Sequence, residues 1–90
     1  MVLGTLEGAG MAFAGERQFP VRYWITVFAG RGGMRGRGKI EMPTLEAVRA
    51  IGNSQFKLEL ENGQSMTVLV TATSQGPIVD IESTGPIPGY

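Results

Sequence analysis

Arg31, Arg35, Arg37 and Lys39 supply four of the chain's 8 basic residues. They fall in the run Arg31-Gly-Gly-Met-Arg-Gly-Arg-Gly-Lys39, which no acid interrupts. Guanidinium groups pair bidentately with phosphate and stack on planar rings, and glycine lets a backbone come close to a ligand. Such a run suits contact with a phosphate backbone. The preceding segment, Val21-Arg-Tyr-Trp-Ile-Thr-Val-Phe28, adds aromatic rings. As an extended strand it places Val21, Tyr23, Ile25 and Val27 on one face and Arg22, Trp24, Thr26 and Phe28 on the other. Rings on an outer strand face can stack bases while arginines meet phosphate. Arg22, Trp24, Phe28, Arg31, Arg35, Arg37 and Lys39 therefore form the candidate site for single-stranded nucleic acid or another polyanion. Plainer readings stand beside it. The basic run can be a flexible charged connection, and the helix, the tail or a second subunit can cover Trp24 and Phe28.

Arg31-Gly32-Gly33 and Arg35-Gly36-Arg37-Gly38 resemble the RGG boxes of RNA-binding proteins, which implies RNA as a partner. Those boxes repeat in disordered tails, whereas this run is short and internal. Gly33 to Lys39 also fits most of the phosphate-loop pattern GxxxxGK[ST]. Ile40 stands where the magnesium-binding hydroxyl belongs, and the sequence continues as strand rather than helix, so a nucleotide hydrolase is rejected. Gly33-Met-Arg-Gly36 spells the GXXG of KH domains without their helical context.

Composition narrows the chemistry further. The chain has Cys 0 and His 0, which removes disulfides, thiolate nucleophiles, the usual zinc sites and the commonest general base. Glu59 with Glu61, and Asp80 with Glu82, are paired carboxylates, but each pair sits where strand alternation demands a polar outer face. The expectation is a non-catalytic protein without cofactor or metal. Net charge is zero overall, yet residues 1–39 hold six basic and two acidic residues, and residues 40–90 hold two basic and six acidic. That asymmetry permits a local basic patch on a neutral protein.

These 90 residues make one domain, 1–90, with a modest core. Phe56 to Glu61 alternates strictly, Asn62-Gly63 supplies the positive φ angles of a tight hairpin, and Met66 to Thr73 returns with Met66, Val68, Val70 and Ala72 inward. Ser74-Gln-Gly-Pro77 reads as a turn leading to a strand at 78–83, with Val79 and Ile81 inward. Val2 to Ala14 reads as one bent strand or two short ones, with Met11 and Phe13 sharing a face. Gly15-Glu-Arg-Gln18 is a turn. The Gly/Arg-rich segment 29–38 reads as a loop, with a strand resuming near Gly36 to Met42 and carrying Ile40 and Met42 inward. Thr44 caps a short helix over about 44–52 whose stripe is Leu45, Val48 and Ile51. Gly85 to Tyr90 carries prolines that cannot join a ladder, so 84–90 is an extended tail.

The predicted architecture is all-β, a small antiparallel barrel of five to six strands with one short helix. A small β-sandwich is the alternative. The order of three strands, helix and two strands resembles the oligonucleotide/oligosaccharide-binding (OB) fold, a partly open five-stranded barrel. The alternative function is a homo-oligomeric structural or interaction domain that associates through Trp24, Phe28 and Leu69. Its basic loop would then meet the acidic strand faces of a neighbour. No apolar run approaches a membrane span, and Met1 to Glu7 lacks a basic signal-peptide region, so the default expectation is a cytoplasmic protein.

Overall fold

A computed structural model describes residues 1–52, 55–73 and 76–90 of the chain. Six strands and one helix follow in order: β1 (Val2–Ala14), β2 (Arg17–Gly30), β3 (Gly33–Glu41), α1 (Leu45–Ile51), β4 (Gln55–Glu59), β5 (Ser65–Thr73) and β6 (Ile78–Ser83). They close into a barrel in the order β1-β2-β3-β6-β5-β4, every neighbouring pair antiparallel. The expected all-β barrel with one short helix is the observed one. The sixth strand distinguishes it from a five-stranded, partly open OB barrel. Here β6 lies between β3 and β5 and completes the ring.

Two three-stranded meanders, β1-β2-β3 and β4-β5-β6, are joined by the β1·β4 and β3·β6 pairings. Inward positions build one core: Val21, Tyr23, Ile25 and Val27 of β2, Ile40 of β3, Phe56 and Leu58 of β4, Met66, Val68 and Val70 of β5, and Val79 and Ile81 of β6. Met42 and Leu60, just past their strands, are buried as well. All were legible as apolar positions of alternating strands. β1 is continuous over its 13 residues rather than broken. Its inner positions are small because Tyr23 crosses the barrel there. A Cβ at Gly8 would meet the Tyr23 hydroxyl, and one at Gly10 would overlap the Glu59 carbonyl oxygen. That hydroxyl accepts a hydrogen bond from the Glu61 amide at 3.0 Å, which satisfies the buried phenol. Met11 and Phe13 are half-buried on the opposite face from buried Ala12.

Several expectations need correction. Segment 29–38 is not a loop: β2 runs to Gly30, β3 starts at Gly33, and only Arg31-Gly32 turns, with Gly32 at φ 84°. The β4–β5 turn is one residue longer than a two-residue hairpin. Gly63 N–H bonds to the Leu60 carbonyl at 3.0 Å, Leu60 N–H to that of Gln64 at 2.7 Å, and only Gly63 has positive φ, at 89°. This is a type I turn followed by a left-handed glycine, and Asn62 contributes its side-chain oxygen to the Gln64 amide instead of a left-handed backbone. Ala72 is exposed, because the β5·β6 register shifts between Val70 and Ala72. In α1 the buried stripe is Ala47 and Ile51 with Val48 alongside, whereas Leu45 is exposed. A seven-residue helix capped by the Thr44 hydroxyl to Ala47 N–H has room to bury only one face. Parts of two expected turns, Asn53 after the helix and Ser74-Gln75, lie outside the described residues.

The tail 84–90 carries no strand, as expected, but it is not solvated throughout. Ile87 is buried in the core, and a Cβ at Gly4 would overlap the Tyr90 hydroxyl, so the tail lies across one end of the barrel.

Candidate functional site

Strict alternation governs the basic run. Arg35, Arg37, Lys39 and Glu41 point outward on β3, while Gly36, Gly38 and Ile40 point inward. The inward glycines are places of close approach. A Cβ at Gly38 would overlap the Trp24 carbonyl oxygen and press on the Ile25 backbone; one at Gly36 would crowd the side chains of Ile25 and Ile87. Flexibility is therefore not what these glycines provide. β3 is paired with β2 along its length and with β6 from Arg37 to Glu41, and its cations stand about 7 Å apart along the strand.

The register brings the β2 and β3 members of the candidate site onto one outer surface. Trp24 lies opposite Lys39, Thr26 opposite Arg37, Phe28 opposite Arg35, and Arg22 opposite Glu41. Arg31 sits in the turn at the end of the same hairpin. Trp24 is 38% exposed, and Phe28 is half-buried. Cations cap two half-buried rings of the outer surface: Lys57 Nζ lies 4.6 Å from the centre of Phe13 and the Arg37 guanidinium 5.8 Å from that of Phe28; Arg17 lies 5.3 Å from Phe19, which packs against the core. Among the described residues, no cation caps Trp24. It is the more exposed of the two rings on the β2–β3 outer face.

The structure also brings in residues that sequence reasoning left outside the site. Across the β3·β6 ladder, Arg37 faces Glu82 and Lys39 faces Asp80. Arg37 Nη2 and Nε lie 3.0 and 3.1 Å from Glu82 Oε1, and Lys39 Nζ lies 2.7 Å from Asp80 Oδ1. All four side chains keep 43–65% of their surface exposed, so each pair contributes at most about 1 kcal/mol. Their effect on an incoming anion is larger in kind than in energy: two of the candidate cations already have carboxylate partners. Among the described residues Arg22, Arg31 and Arg35 make no ion pair. Alternation had marked Asp80 and Glu82 as outward-facing. The missing signal was the β3·β6 pairing, which is a long-range contact.

A cleft of about 370 Å³ opens beside these residues, between the start of β3 and the segment that follows β6. Phe28, Arg35, Arg37, Ser83 and Thr84 line it. The Ser83 hydroxyl accepts the Gly36 N–H at 2.8 Å, which ties the chain leaving β6 to β3.

The residues expected to form an oligomer interface are separated. Leu69 is half-buried and pairs with Glu82 and Gln55, on β5. Three strand steps around a six-stranded ring separate it from β2, so Leu69 lies on the wall opposite Trp24 and Phe28. The β6 acids meet the basic strand of their own chain.

Among the described residues, no group of three or more His, Cys, Asp or Glu side chains could hold a metal ion. No described helix is long and apolar enough to cross a membrane. No protein-family model matches the chain, and no curated protein or solved structure matches it either.

Proposed function

We propose that this barrel is a non-catalytic binding module whose β2–β3 outer face takes single-stranded nucleic acid or a closely related polyanion. The observation that carries the reading is the register. Trp24 and Phe28 lie in rows with Lys39 and Arg35 on paired strands, so rings and cations share one firm surface. A single strand offers planar bases for the rings and phosphates for the cations, and the spacing of outward residues along a strand is close to that between phosphates in an extended chain. Trp24 is the base platform. Arg22, Arg31 and Arg35 are the cations most available to phosphate. Arg37 and Lys39 flank the platform with their carboxylate partners.

The chain has Trp 1, so its fluorescence reports on this face alone. Titration with a short oligothymidylate at low salt should quench Trp24, and anisotropy of the labelled oligonucleotide should give the same Kd. R31A/R35A should weaken binding about tenfold and flatten the dependence of log Kd on log salt by about 1.4, the value for two phosphate contacts on a single strand. Absence of quenching and of anisotropy change at low salt, or full binding by R31A/R35A, would exclude this face as the site.

A further inference from the structure

Asp80 and Glu82 are the two acids that stand in register with the basic strand and hold its cations at 2.7 and 3.0 Å. Both lie on the outer surface, two residues apart on β6, and β3 separates them from the Trp24 row. A phosphate approaching Lys39 or Arg37 must displace a carboxylate that is already in place, and it meets that carboxylate's charge as it does so. At Arg31 and Arg35 there is no such rival among the described residues. We propose that Asp80 and Glu82 are specificity-determining residues: an intramolecular competitor that confines the anionic ligand to the hairpin end of the face. This rests on the proposed function and adds to it a direction along the strand and a limit on affinity. The site then accepts a ligand whose phosphates cluster at Arg31 and Arg35 and whose base reaches Trp24. It discriminates against a ligand that needs an uninterrupted row of phosphate contacts along β3.

The test compares four proteins against a labelled oligothymidylate over a range of salt: wild type, D80N/E82Q, R31A/R35A and E16Q/E46Q. Both substitutions in D80N/E82Q are isosteric and sit at exposed positions of the barrel. E16Q/E46Q removes the same charge at exposed positions away from the face, in the β1–β2 turn and on α1. D80N/E82Q is expected to tighten Kd about fivefold, the scale of one exposed ion pair, and to steepen the salt slope by about 1.4 as two further phosphates engage. E16Q/E46Q should stay within about twofold of wild type. Binding seen only in D80N/E82Q supports the competitor as well. Wild-type binding with D80N/E82Q unchanged, or an equal gain in both acid variants, overturns the competitor and leaves the binding face standing. No binding by wild type or D80N/E82Q overturns both. Binding by wild type that R31A/R35A does not weaken relocates the site and overturns the confinement to the hairpin end.

Discussion

The β4–β5 and β2–β3 hairpins fill the same barrel by opposite means. In β4–β5 the inner positions carry Phe56, Leu58, Met66, Val68 and Val70, and the outer ones Lys57, Glu59, Thr67, Leu69 and Thr71. In β2–β3 the large inner side chains are Tyr23, Ile25 and Val27 of β2 and Ile40 of β3, and β3 answers Ile25 and Val27 with Gly38 and Gly36. At those two rows one strand is bulky and the other bare, and the two backbones close on each other. The outer face shows the converse. The strand with glycine inside carries Arg35, Arg37 and Lys39 outside, and the strand beside it carries Trp24 and Phe28. Glycine within a strand thus marks close approach rather than slack.

The comparison is most severely tested at Gly38. Adding one carbon there, Gly38→Ala, should cost about 3 kcal/mol or more, because the new Cβ meets the Trp24 carbonyl and the Ile25 backbone, neither of which can swing away. Removing three carbons by Leu58→Ala in the other hairpin should cost a similar ~3 kcal/mol through the cavity it leaves. Urea unfolding of the two variants would break the contrast if Gly38→Ala proved neutral. Ile87→Ala comes next, at about 2 kcal/mol. It tests whether the tail fills the barrel end above Gly36, and a change in stability below ~0.5 kcal/mol would show the tail to be dispensable. Gly36→Ala should be milder, about 1 kcal/mol, since its Cβ would crowd only side-chain ends, at 3.1 Å for Ile25 and 3.3 Å for Ile87. A similar ~1 kcal/mol is expected for Gly63→Ala, where the cost is left-handed backbone and not contact. A thermal melt in which Gly63→Ala exceeded Gly38→Ala would reverse the order.

Much of this was readable from the residues because large side chains announce alternation. Phe56-Lys-Leu-Glu-Leu60 and Val21 to Phe28 could be placed on a barrel wall without knowing their partners. Arg35 to Ile40 alternates just as strictly, but with glycine in two of the inward slots it reads as low complexity, and its local signal favours a loop. The reason for those glycines is Ile25 and the Trp24 carbonyl, which only β2·β3 pairing brings near. The ion pairs were hidden for the same reason: Arg37 and Glu82 are 45 residues apart in sequence. Ala72 and Leu45 were misplaced by smaller departures from ideal periods, a bulge in β5 and a helix too short to bury a full stripe. The candidate cations and Trp24 were named from residue type alone. Their strand placement and carboxylate partners were not.

Amide hydrogen exchange across residues 37–40 tests most directly whether the basic run is a strand paired on both sides. Protection at Arg37, Gly38, Lys39 and Ile40 should match that of Val21 to Val27 in β2, as expected for ladder hydrogen bonds that open only with the barrel. Exchange at the rate of an open loop in those four amides, beside a protected β2, would show instead that the run is a loop.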